Sequence, residues 1–167
     1  RSHLALPDLR KGGVEALYSQ NFVPADFGPR TPHPTAGATV IGARDPLAAW
    51  NLWLQTDDLE IARDIASDIR SKRKTDIRLK GIRAIGLSLR SICRSQISMN
   101  VTMPDQTPLK FVLDAVITLC STHGASIVES EIIGLISHRW LAPYSANDLL
   151  WFDAKPTQYI EHWLDII

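Results

Sequence analysis

The feature that most restricts the fold of this sequence is how the spacing of its apolar residues changes from Leu47 onward. In 48–54 the apolar residues Trp50, Leu52 and Leu54 recur at every second position, which puts them on one face of a strand. After Asp57-Asp58 the spacing lengthens, and Leu59, Ala62, Ile65, Ala66 and Ile69 form one stripe of a helix. Acidic residues suit a helix start, where the first amides are unpaired and the dipole is positive. Period two then returns. Ile85, Leu87 and Leu89 alternate with Ala84, Gly86 and Ser88, and Ile97, Met99, Val101 and Met103 alternate with Gln96, Ser98, Asn100 and Thr102. Each strand is expected to be half-buried through its apolar set. The short link Ser91–Arg94 predicts a hairpin. Thr107-Pro108 opens a second helix, with Thr as cap and Pro at the first helical position. Its stripe is Leu109, Val112, Val116 and Leu119, and His123-Gly124 closes it. A fourth strand is expected over 125–136, then a tail with short helical patterns near 146–152 and 157–166.

The resulting order is β-α-β-β-α-β. It predicts an α+β, ferredoxin-like sandwich with two helices on one face of a four-stranded antiparallel sheet. The second sheet face is left uncovered by these helices. On one inner strand that face carries a polar row of Gln96, Ser98, Asn100 and Thr102, suited to water, a second domain or a polar ligand.

Residues 1–46 differ from the rest, holding six of the ten prolines and five of the nine glycines. Pro lacks a backbone donor and Gly tolerates unusual φ, so this stretch predicts an irregular connector with one short helix around 14–20. Irregular segments of this length usually bind something or link two units. The expected division is therefore a connector at 1–46 and a folded subdomain at 47–167. The opening Arg1-Ser2-His3 suggests an excised or processed segment.

Eighteen basic and eighteen acidic side chains cancel, which argues against a chain that coats nucleic acid or an anionic membrane. The charge is uneven, however: nine basic residues lie between Arg70 and Arg94, opposed only by Asp76. No apolar run reaches the length of a membrane span. Cys93 and Cys120 lack metal-ligand spacing, and Cys120 sits in an apolar helical pattern, so a reducing, cytoplasmic setting is expected. The five histidines show no metal spacing either, and no metal site is expected.

Several blocks occur in an order that resembles a known family. They are Pro24-Ala25-Asp26-Phe27-Gly28-Pro29, Gly37-Ala38-Thr39-Val40-Ile41-Gly42-Ala43-Arg44 and Ala49-Trp50-Asn51. Ile85-Gly86-Leu87, Gln96-Ile97-Ser98-Met99-Asn100, Thr107-Pro108-Leu109 and Ser130-Glu131-Ile132-Ile133-Gly134-Leu135 follow. Over roughly residues 4–152 this ordered set resembles the glutamate formiminotransferase family, at the junction of its two subdomains and through the second. The resemblance implies transfer of a formimino group between N-formimino-L-glutamate and tetrahydrofolate, with tetrahydrofolate as co-substrate. It implies a folate held between two subdomains, so the N-terminal formiminotransferase subdomain is the expected partner. It also implies a catalytic histidine in that first subdomain, so no catalytic residue is assigned to this chain. A homodimer is a further expected arrangement. A non-catalytic folate-binding or protein-interaction homologue is the alternative. Departures from the family pattern occur at Glu129, Ser137-His138, Lys110 and Met103-Pro104.

By the same resemblance the folate-binding loop maps onto Pro24, Ala25, Asp26, Phe27, Gly28, Pro29, Arg30, Thr31, Pro32, His33 and Pro34. Phe27 is suited to stacking on a pteridine; the plainer account is a turn, because Asp, Gly and Pro are turn formers. Gln96, Ser98 and Asn100 supply the donors and acceptors that a pterin edge or a substrate glutamate needs; the plainer account is packing or solvation. The basic run suits folate carboxylates, or is simply a solvated helix end. Glu129 and Glu131 share a strand face, either as an acid–base pair or as charges protecting an edge. The polar strand lacks the Phe/Tyr pairs that stack on RNA bases.

Overall fold

The computed structural model describes residues 12–13, 16, 25–29 and 31–164. The helix expected around 14–20, His3 and the last three residues lie outside the described residues, apart from Ala16. The chain forms two compact units, 1–44 and 45–167. In the first, the described residues are almost wholly irregular, with one tight turn closed by a bridge between His33 and Gly37.

The second unit has the expected element order. Strand β1 is Ala48–Leu54, helix α1 Leu59–Lys72, β2 Ile82–Leu89, β3 Arg94–Val101, α2 Leu109–Thr122, β4 Ile127–Ile133 and a short α3 Ile160–Leu164. The sheet order is β2-β3-β1-β4, and the pairs are antiparallel. This is the α+β, ferredoxin-like arrangement, and β3 is an inner strand.

The core lies between the sheet and the helices. Trp50, Leu52 and Leu54 are buried on β1, Ile97, Met99 and Val101 on β3, and Ala62, Ile65, Ala66 and Ile69 on α1. On α2 the expected stripe is buried together with Leu113 and Cys120. Burial pushes the Cys120 thiol up to about 11, as expected for a small core residue. Trp140, Leu141, Leu149 and Trp151 from the tail join the same cluster.

Strand β2 corrects the periodicity reading. Ile82 and Ala84 face the core, whereas Ile85 is 55% and Leu87 38% exposed. The reason is Gly86. A Cβ built there would stand 2.5 Å from Ala62 C and Arg63 N, so the α1 backbone presses directly on the strand. Beside that contact only Ala84, Gly86 and Ser88 stand on the helix side, and Ile85 and Leu87 turn to the open face.

Other ends shift by a few residues. Asp58 caps α1 as expected, accepting from Glu60 N at 2.8 Å. Thr107 does not cap α2: Pro108 occupies the N-cap position, and the buried Thr107 Oγ1 has no hydrogen-bond partner. Strand β4 is shorter than expected and stops before Gly134, whose φ of +80° is left-handed. The tail patterns shrink to single turns at Asn147–Leu149 and Pro156–Gln158, followed by α3.

Both sheet edges are covered in part. The outward carbonyls of β2, Ile82 O and Ala84 O, accept from Arg73 and Arg70, each at 2.8 Å. On β4, Ser130 N donates to Leu150 O, and Gln158 Nε2 donates to Ile132 O. Unpaired edge groups invite pairing between chains, so these contacts remove an aggregation hazard.

Candidate functional site

The expected site residues fall in two groups, one in each unit. In the first unit Pro24 and Arg30 lie outside the described residues. Ala25, Asp26, Phe27, Gly28 and Pro29 are exposed, with Phe27 at 82%. Gly28 has φ +89°, which an L side chain rarely adopts, so the turn-former account of Asp-Phe-Gly-Pro has a direct backbone basis. Thr31 is exposed, Pro32 is half-buried, and Pro34 stands in the turn after His33. The imidazole of His33 organises that turn: Nδ1 accepts from Ala36 N at 3.1 Å and Thr35 N at 3.3 Å. An accepting Nδ1 puts the proton of the neutral ring on Nε2. His33 therefore has a structural task that sequence reasoning did not foresee.

In the second unit the sheet face away from the helices forms a grid fixed by register. Gln96 on β3 lies beside Leu87 and Trp53, and Trp53 beside Glu129. One row along, Ile85, Ser98, Asn51 and Glu131 are neighbours. In the third row stand Arg83, Asn100, Ala49 and Ile133. The expected polar residues Gln96, Ser98 and Asn100 are thus brought together on one inner strand. They are not equally wet: Gln96 is 6% exposed, Ser98 is half-buried and Asn100 is exposed.

Sequence reasoning singled out Glu131 on this face but missed Asn51 and Trp53, which hold it. Asn51 Nδ2 donates to Glu131 Oε1 at 2.9 Å, and Trp53 Nε1 donates to the same oxygen at 3.2 Å. Glu131 is half-buried, so it is not the solvated edge charge that its strand position suggested, although it does share a face with Glu129. Period two had already placed Asn51 and Trp53 opposite Trp50 and Leu52. The missing signal was strand order, which alone sets β4 beside β1.

Gln96 Oε1 is buried with no hydrogen-bond partner. A buried polar atom normally finds one, and leaving it unpaired costs about 1–3 kcal/mol. A buried orphan acceptor beside an indole and an oriented carboxylate suits a flat polar ligand carrying N–H donors.

Four arginines of the basic run serve the architecture. Besides Arg70 and Arg73, Arg78 pairs with Asp76 and lies 3.7 Å from the centroid of the Phe111 ring. Its hydrogen bond holds the Asp76 carboxyl below the ordinary range. Arg83 donates to Ile82 O and Lys80 O, and burial, then repulsion from Arg73, lowers its guanidinium from the ordinary value. The histidines divide similarly: His123 bonds Asp68 between the two long helices at 2.9 Å, and His138 stacks on Tyr159.

A separate cleft of about 230 Å³ lies at the start of α2, lined by Pro104, Asp105, Lys110, Arg139, Trp140 and Tyr144 among others. Its charges pair off as Arg139 with Asp105 and Lys110 with Asp114. It shares no lining residue with the polar face. No group of three or more His, Cys, Asp or Glu with metal-holding geometry occurs among the described residues.

Comparison with known proteins gives the family of the chain. The family model described as "Formiminotransferase domain" matches residues 49–148. The chain is 36% identical over 134 residues to glutamate formimidoyltransferase of Streptococcus pyogenes serotype M1, covering 78% of this chain and 44% of that protein. It is 39% identical over 127 residues to glutamate formimidoyltransferase of Thermoplasma acidophilum, covering 76% of this chain and 40% of the relative. A formimidoyltransferase-cyclodeaminase of Gallus gallus is 34% identical over 142 residues, 81% of this chain and 26% of that protein. The chain thus spans less than half the length of these curated relatives.

Proposed function

Because the chain belongs to the formiminotransferase domain family, we propose that it supplies the folate- and substrate-facing part of a transferase. The transferase moves a formimino group between N-formimino-L-glutamate and tetrahydrofolate, with tetrahydrofolate as co-substrate. The observation that carries this reading is the polar sheet face, where Gln96 keeps a buried unpartnered acceptor and Glu131 is held by Asn51 and Trp53. A face built only for solvent would not bury an amide oxygen without a partner.

In this reading residues 1–46 are the connector and 47–167 the second subdomain. Ala25–Pro29 and Thr31–Pro34, with Pro24 and Arg30, form the folate loop, and Gln96, Ser98 and Asn100 face the ligand. The catalytic histidine belongs to the first subdomain, the expected partner. Ile85 and Leu87, exposed beside the polar row, are apolar surface suited to that packing. Nothing among the described residues supports a homodimer, and it forms no part of the proposal. No described helix is long and apolar enough to cross a membrane; a cytoplasmic setting belongs to the same reading. Catalysis would come mainly from holding the acceptor amine against the formimino carbon.

The test is calorimetric titration with 5-formyltetrahydrofolate of the wild type, His33→Ala, Asp26→Ala and Asn100→Ala. Saturable binding that weakens in the variants supports both ligand surfaces. Binding that no variant alters removes them from the site.

A further inference from the structure

The two N–H donors on Glu131 converge on one oxygen, Oε1. Among the described residues Oε2 accepts no hydrogen bond. The carboxylate is thus held in one orientation by Asn51 and Trp53 while half of its acceptor capacity stays available. Glu129 lies two residues along on the same face and adds negative potential. In the neighbouring row Gln96 presents a buried carbonyl that also lacks a donor. The unmet need of this face is therefore for donors, and the charge it favours is positive.

We propose that Glu131 is the counter-ion for an amidinium group, and that Asn51 and Trp53 are the positioning residues that aim it. This rests on the formimino-transfer reading, which it deepens by assigning the recognition of the group that moves. A formimino group on nitrogen is an amidine. It is protonated near neutral pH and planar, and it carries N–H donors on both nitrogens. Oε2 of Glu131 accepts a charge-assisted hydrogen bond from it. The formyl analogue puts a carbonyl oxygen where the amidinium has a donor. An ionised Glu131 therefore repels that oxygen, and the face separates formimino from formyl compounds by charge as well as by hydrogen bonding.

The test is equilibrium binding of N-formimino-L-glutamate, N-formyl-L-glutamate and tetrahydrofolate to the full-length protein, as wild type, Glu131→Gln and Trp53→Phe. The wild type is expected to prefer the formimino compound. Glu131→Gln should cut that preference by about 10- to 100-fold, the scale of one lost charge-assisted hydrogen bond, a larger loss than it causes in tetrahydrofolate affinity. Trp53→Phe keeps a ring but removes the N–H, and should cut it by a smaller factor of about 2 to 10. A Glu131→Gln variant that keeps the full preference, or that loses all three ligands equally, overturns the assignment while leaving the transfer reading intact. A wild type that binds neither formimino-glutamate nor tetrahydrofolate overturns the transfer reading, and this assignment with it.

Discussion

Replacing Gly86 by Ala tests which side of β2 belongs to the helices. The added Cβ would meet Ala62 C and Arg63 N at 2.5 Å and Ala62 O at 2.7 Å. These are backbone atoms, so no side chain can swing aside. To restore an ordinary contact of about 3.4 Å, α1 must retreat by roughly 0.9 Å. Through Ala62, Ile65, Ala66 and Ile69 that helix is anchored in the core. A gap of about 0.5–1 Å forfeits a quarter to a half of each dispersion contact, and overpacking of this kind costs about 1–3 kcal/mol. Guanidinium unfolding of Gly86→Ala should therefore show a lower midpoint, equivalent to about 1–3 kcal/mol, at unchanged slope. Gly42→Ala, where a Cβ meets nothing within 4 Å, is the control and should stay within about 0.5 kcal/mol of wild type. If Gly86→Ala matched the control, α1 would not press on β2. Ile85 and Leu87 would then have no reason to face outward.

Three further outcomes follow from packing and charge. In the native protein a thiol reagent at mildly alkaline pH should modify exposed Cys93 and spare Cys120, which is buried with its thiol pushed to about 11; equal labelling before unfolding would contradict the core assignment. Glu161 is held below the ordinary carboxylate range, first by its hydrogen bond from Ser137. A depressed folded-state pKa adds stability above the unfolded value and loses it as pH falls through the folded one. Acid denaturation curves should thus flatten in Ser137→Ala below the ordinary glutamate range, and an unchanged profile would count against the bond. The triple variant Arg70→Ala, Arg73→Ala, Arg83→Ala uncovers Ala84 O and Ile82 O on the β2 edge, so light scattering should rise with concentration more steeply than in wild type; an identical scattering curve would deny the edge role.

The fold was legible where one period dominated. The β1 set Trp50, Leu52 and Leu54 and the stripes of both long helices are buried as their spacing predicts. It misled at β2, because hydrophobicity favours Ile85 and Leu87 for the core, while the close approach of α1 at Gly86 decides otherwise. Long-range packing of that kind leaves no periodic trace. At the candidate site Gln96, Ser98 and Asn100 were readable as a row, since alternation alone sets their face. Glu131 joins Asn51 and Trp53 through pairing of β4 with β1, a relation between segments some eighty residues apart. The basic run was ambiguous for the same reason: whether an arginine meets a ligand or a carbonyl depends on where the β2 edge lies.

If this subdomain belongs to a working formimino transferase, the formimino carbon must pass from glutamate to folate. The most direct test is a single-turnover experiment with the full-length protein, tetrahydrofolate and N-formimino-L-glutamate isotope-labelled at the formimino carbon. The label should move to the folate, and move more slowly in Asn100→Ala and Glu131→Gln. Bound folate with the label left on glutamate would contradict the transferase reading, and would identify a folate-binding homologue that does not catalyse the transfer.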